Sequence, residues 1–128
     1  MGERHLLDSN TIIDYIGELI PEKSVFILDR LLDEALNVSV VSRIEVLGYN
    51  GKTSDMRKLD GFLAMANILY VDQDIADKTI SIRKKHKIKL PDAIIAATAL
   101  VFDFILISRN LSDFKKITGL SVLNPYDL

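Results

Sequence analysis

Polar side chains able to hold a metal ion stand just beyond several apolar stretches of this sequence. Asp8 follows Leu6-Leu7, Glu45 lies four residues past Val41, Asp92 follows Leu90-Pro91, and Asn110 and Asp113 come after Ile107. Each has an ordinary explanation when taken alone. Asp8 suits the cap of a helix starting near Ser9, Ser42-x-x-Glu45 has the form of a capping box, and Asp92 suits a helix first turn, where the dipole favours negative charge. Taken together, they point to chemistry. Three or four carboxylates converging on one crevice raise one another's pKa unless a cation neutralises them. Hard divalent ions that prefer oxygen, Mg²⁺ or Mn²⁺, supply that charge. Such ions activate water and relieve charge on the phosphoryl and leaving oxygens in phosphodiester hydrolysis, which makes the carboxylates ligands and not proton shuttles.

Other chemistries find little support. The absence of cysteine removes disulfide frameworks, thiolate metal centres and thiol nucleophiles, and suits a reducing compartment such as the cytoplasm. No nucleophilic-serine motif, P-loop or glycine-rich dinucleotide turn is present. His5 and His86 neither pair nor adjoin a carboxylate motif, and His5 reads as a strand residue.

The elements that must position the acids follow from hydrophobic pattern. Short runs at residues 5–7, 38–41, 68–71, 104–107 and 121–123 read as buried strands. Between them, Val25, Leu28, Leu32 and Ala35 keep a helical step, as do Ile75, Thr79 and Ile82. Residues 93–102 are apolar nearly all round and read as a buried helix. Gly17 and Pro21 separate the first two helices, a turn occupies 48–53, and Gly119 precedes the last strand. Strands alternating with helices predict an α/β fold of three layers, with a small central, mainly parallel sheet flanked by helices. At 128 residues, 48% of them hydrophobic, residues 1–128 fit one domain with one core. In such folds ligands bind beyond the carboxyl ends of the strands, where the acids fall.

The strings LLDSN, VSVVSRIEV, LPDAIIAATAL and LISRNLSDF, in that order and spacing over nearly the whole chain, resemble the successive motifs of the PIN-domain family, closest to the VapC-type toxin ribonucleases. The resemblance implies a divalent-metal-dependent endoribonuclease, with Asp8, Glu45 and Asp92 as the acids of the metal site. The family's fourth position falls at Asn110, where many members carry Asp, and Asp113 is the possible substitute. The resemblance also implies an antitoxin protein that covers the crevice, and a homodimer. Ser9, Asn10 and Ser108 adjoin these positions and are candidates to orient the ligands. Asp72 is expected to be a helix cap, because the strand order implied by the resemblance puts the third strand at an edge.

Charge is unevenly spread. Residues 1–82 carry 8 basic and 14 acidic side chains and residues 83–128 carry 8 and 4, so net charges of −6 and +4 make up the overall −2. Lys84, Lys85, Lys87 and Arg109 are therefore candidates to hold RNA phosphates, against the alternative of a solvated helix end. No stretch reaches the ~20 apolar residues of a membrane span, and the first ten residues lack the apolar core of a secretory signal. Two rival functions differ in class. A phosphoacceptor receiver domain would use Asp8 and Asp72, but this sequence has Asp8-Ser9-Asn10 where a receiver carries an adjacent acidic pair after its first strand. A non-catalytic PIN-fold module, binding RNA or protein, would need no metal.

Overall fold

The computed structural model describes residues 4–128. Five strands, β1 (His5–Leu7), β2 (Asn37–Ser39), β3 (Asn67–Leu69), β4 (Ile105–Ile107) and β5 (Val122–Leu123), form one sheet in the order β3-β2-β1-β4-β5. Every neighbouring pair is parallel. The connections carry α1 (Ser9–Ile16) and α2 (Glu22–Glu34), then α3 (Val40–Leu47) and α4 (Thr53–Ala64), then α5 (Gln73–Lys85) and α6 (Leu90–Phe102), and finally α7 (Leu111–Phe114). A 3-10 turn at Pro125–Asp127 closes the chain.

Alternation along the strands divides the core into two layers. Leu6 and Leu106 pack with Ile75, Ile82, Ile95 and Phe114 on the α5–α6 side. Leu7, Val38 and Ile107 pack with Ile12, Leu28, Val46 and Leu63 on the side of α1 to α4. A strand buried on both faces reads as a continuous apolar run, which is why three residues of β1 or β4 suffice to mark it. Asn37 is one of several polar residues in this interior. Its amide donates to the His5 carbonyl at 3.1 Å and accepts from Asn67 Nδ2 at 3.1 Å, so the buried group is satisfied in the register that pairs Asn37 with Asn67.

The first strand matches its expected run, the other four are shorter in the structure, and one helix begins earlier. The run 38–41 stays extended only to Ser39, whose Oγ accepts from Val41 N at 3.1 Å and starts α3 at Val40. Ser39 is thus the cap of α3, and the expected capping box at Ser42 does not form. Ser42 is fully buried one turn on, with no partner for its hydroxyl among the described residues. Two β-branched valines read as strand by propensity, but the serine cap overrides them. In the run 68–71, Tyr70 and Val71 lie outside β3 and are exposed. Ala35 ends the stripe of α2 as an exposed, extended residue.

Asp72 accepts from Ile75 N at 2.9 Å and caps α5 beside the edge strand, as expected. That placement removes the receiver-domain alternative, which needs this residue in the central crevice.

The all-round apolar pattern of α6 matches its burial, with Ala93, Ile95, Ala96, Ala97 and Ala99 enclosed. The helix ends at Asp103, held in the left-handed region at φ 57 and ψ 43 while its N–H reaches Ala99 and Leu100 carbonyls. A side chain is disfavoured there and glycine is not. Asp103→Gly is expected to raise stability by about 0.5–1 kcal/mol, read as a higher urea midpoint at unchanged slope. A lower midpoint would mean that the aspartate side chain contributes more than its backbone costs.

Candidate active site

β1 and β4 lie side by side at the centre of the sheet, so their carboxyl ends open on one crevice. Asp8 follows β1 immediately and is 5% exposed. Its Oδ1 accepts from Thr11 N at 2.9 Å, capping α1, and its Oδ2 accepts from Ser108 Oγ at 2.5 Å. The capping role and a place in the crevice are therefore both real, one for each oxygen. Thr11 Oγ1 adds a bond to the Ile107 carbonyl at 2.9 Å, fixing α1 to the end of β4.

Glu45 arrives from the second turn of α3 and is exposed. Ser9 Oγ donates to its Oε1 at 2.7 Å. Asp92 stands in the first turn of α6, after Pro91, where the carboxylate also favours the helix dipole. Asp8, Ser9, Asn10, Ile13, Glu45, Asp92 and Ile95 line one cleft of about 220 Å³. The three acids foreseen from sequence thus meet in space, with Ser9 and Asn10 beside them. A larger groove of about 420 Å³, lined by Ile13, Val46, Tyr49, Met56 and Leu59 among others, is mainly apolar, and size alone would have misplaced the chemistry.

Electrostatics mark the same cleft. Burial raises the Asp8 carboxyl above its ordinary value, against hydrogen bonds from Ser108 and Thr11 and the positive charge of Arg109. Desolvation likewise raises Asp92, and the negative charges of Glu45, Asp113 and Asp8 push it further, with Lys89 opposing them. Three acids therefore act on Asp92. The donor set is all oxygen and its net charge is uncompensated within the cleft, which fits a hard divalent ion. Among the described residues no three such side chains are already gathered as a finished ion cage. Ser9 holds Glu45 while Ser108 and Thr11 hold Asp8, so ligation requires the side chains to draw inward.

Asn110 and Asp113, the two candidates for a fourth position, are bonded to each other. Asn110 caps α7, its Oδ1 accepting from Asp113 N at 3.4 Å, and its Nδ2 donates to Asp113 Oδ2 at 3.1 Å. The amide oxygen is turned to its own helix, while the acid charge that reaches Asp92 belongs to Asp113. Ser108 Oγ also accepts from Asn110 N at 3.0 Å.

Arg109, a candidate for RNA contact, is instead engaged within the protein. Its Nη1 lies 3.2 Å from Asp14 Oδ2, and Tyr126 Oη donates to the same oxygen at 2.9 Å. Sequence reading missed Asp14, Thr11 and Tyr126. Their spacing carries no motif, although acids at Asp8 and Asp14 flanking Thr11 in three-residue steps hint at a polar seam on an apolar helix. Lys84 and Lys85 fall in the exposed last turn of α5, together with Arg83. Lys87 follows in the exposed link to α6, where its carbonyl accepts from Lys116 Nζ at 3.1 Å.

A parallel sheet with acids gathered where its central strands end defines an α/β domain built around an acidic crevice. Residues 5–120 match the PIN domain, and the chain belongs to the PIN-domain family. Solved structures share the whole architecture. One is a chain of a toxin–antitoxin complex from Klebsiella pneumoniae, 31% identical, with 97% of this chain and 99% of that one covered at a TM-score of 0.75. Another is a chain of DNA-bound VapBC from Salmonella typhimurium, 24% identical, with 97% and 99% covered at 0.80. A third, VapBC2 from Rickettsia felis bound to a promoter DNA fragment, is 23% identical, with 94% and 97% covered at 0.79. No curated protein matches the chain. Among the described residues, no helix is long and apolar enough to cross a membrane.

The raised pKa of Asp92 has a thermodynamic sign. A carboxyl whose folded pKa lies above its unfolded one binds protons more tightly when folded, so its penalty is absent below the unfolded value and grows as pH rises through the folded one. In chelator, Asp92→Asn is expected to raise the urea midpoint at about pH 7 and to weaken the loss of stability between about pH 4 and pH 7. A midpoint lowered by about 0.3–1 kcal/mol equivalent would make Asp92 an ordinary first-turn acid.

Proposed function

We propose that the chain is a divalent-metal-dependent endoribonuclease and the toxin of a toxin–antitoxin pair. The observation that carries this reading is the cleft where Asp8, Glu45 and Asp92 meet, with the charges of Glu45 and Asp8 acting on Asp92, in a PIN domain. Asp8, Glu45 and Asp92 would hold Mg²⁺ or Mn²⁺, with Asp113 at the fourth corner and Asn110 orienting it. The ion supplies an activated water and relief of charge on the phosphodiester.

The protein's own contribution is placement. Ser108 and the Thr11 N–H aim the two oxygens of Asp8, and Ser9 restrains Glu45, so each carboxylate is presented in a limited range of orientations. Asn10 lines the cleft without a bond to these acids and is assigned to the substrate side. Lys84, Lys85 and Lys87 lie on the approach to the helix that bears Asp92, where backbone phosphates of a single strand can be held without sequence readout. Arg109 serves the site from within, beside Asp8, more than it serves RNA.

Two features support a protein partner. The chain is 31% identical to a component of a toxin–antitoxin complex over nearly the full length of both. The apolar groove shares Ile13 with the acidic cleft, so an antitoxin segment seated in that groove adjoins the crevice. Assembly as a homodimer and action in the cytoplasm complete the proposal.

The test is cleavage of total cellular RNA by the partner-free protein, with the ends mapped by sequencing. Cleavage is expected with Mg²⁺ or Mn²⁺ and not in chelator, and Asp8→Asn, Glu45→Gln and Asp92→Asn should each lower it by at least about 100-fold. Asp113→Asn should lose more than Asn110→Ser, which keeps a cap. Undiminished cleavage in chelator, or by folded Asp8→Asn and Asp92→Asn proteins, would refute the metal mechanism.

The basic strip has its own measurement. Changing Lys84, Lys85 and Lys87 together to Gln should flatten the log–log salt dependence of binding to a labelled single-stranded RNA by about 2, at about 0.7 per lost phosphate contact. An unaltered slope would return these lysines to solvation of the helix end.

A further inference from the structure

Three side chains of the first helix and its cap reach across to three successive residues at the end of β4 and just past it. Asp8 accepts from Ser108, Thr11 donates to the Ile107 carbonyl, and Asp14 pairs with Arg109. The first two ties belong to the crevice itself. The third lies outside it, and nothing in the proposed chemistry accounts for it.

The Asp14 side chain is only 6% exposed, and a carboxylate so enclosed is costly unless its charge is met. Here one oxygen, Oδ2, receives both the Arg109 guanidinium at 3.2 Å and the Tyr126 hydroxyl at 2.9 Å. Three distant parts of the chain, α1, the end of β4 and the closing 3-10 turn, therefore converge on one atom. Arg109 has a crevice-holding neighbour on each side. Ser108 holds Asp8, and Asn110 holds Asp113.

We propose that Asp14 is a positioning residue of the acidic crevice: through Arg109, and braced by Tyr126, it fixes the 108–110 segment that orients Asp8 and Asp113. The inference rests on the crevice being a divalent-metal site.

Charge alone and position forecast different outcomes. If only charge mattered, removing the carboxylate would weaken cation binding and removing the guanidinium would strengthen it, and the two effects would add. If the pair positions the segment, either loss weakens binding. The double variant is then no worse than the weaker single one, because both break the same tie.

Mn²⁺ is titrated calorimetrically into the partner-free protein and into Asp14→Asn, Arg109→Gln and their combination. Each single variant is expected to lose about 10-fold in Mn²⁺ affinity, the double variant no more, and Arg109→Lys to recover part of the loss. Tighter Mn²⁺ binding by Arg109→Gln, additive effects, or affinities equal to the parent's would overturn the inference while leaving the metal site standing. A parent protein that binds no Mn²⁺ overturns the metal-site reading, and this inference with it. Should Asp14→Asn fail to fold, the comparison of Arg109→Gln with Arg109→Lys decides, since the Arg109 side chain is 49% exposed and Tyr126 still donates to Asp14 in either variant.

Discussion

The two oxygens of one buried carboxylate join the beginning of the chain to its last third. Asp8 caps α1 with one oxygen and takes the Ser108 hydroxyl with the other, across a separation of 100 residues. Both are short, directional bonds in a place that water barely reaches, where losing either partner would strand the other. The alignment of β1 with β4, the entry angle of α1 and the mouth of the crevice all depend on this carboxylate having two partners. The Thr11 bond to Ile107 repeats the tie one turn along, so the helix cannot pivot about its cap.

Around that anchor, ordinary helix chemistry and site chemistry use the same groups. Asp8, Asp92 and Asn110 each stand at a helix amino terminus, where acids and caps are favoured whatever the protein does. Parallel strands followed by helices bring several such termini to one edge of the sheet. The fold thus gathers carboxylates at little local cost, and the remaining cost is their mutual repulsion, visible at Asp92. Lys89 offsets part of it from the position just before α6.

Much of this was legible in the sequence. Strands buried on both faces leave unbroken apolar runs, so β1 and β4 and the crossover pattern could be read directly, and Asp8, Glu45 and Asp92 line one cleft. The limits of the elements were less legible. Val40 and Val41 have strand propensity, and only the Ser39 side-chain bond turns them into helix. Spacing could not separate Asn110 from Asp113, because which way each points is a matter of the α7 cap. Asp14, Arg109 and Tyr126 were opaque for a plainer reason. Their partnership spans up to 112 residues and obeys no period. A long-range buried pair leaves no trace in a single sequence beyond an acid on an apolar helix.

The sheet order has a consequence for the order of synthesis. The central neighbours β1 and β4 are separated by nearly the whole chain, while β1, β2 and β3 can pair from residues 5–69 alone. A chain emerging from the ribosome carries Asp8 and Glu45 outside long before Asp92 and Ser108 exist, and closure of so long a loop comes late. The amino-terminal fragment can therefore hold acids and still lack a crevice.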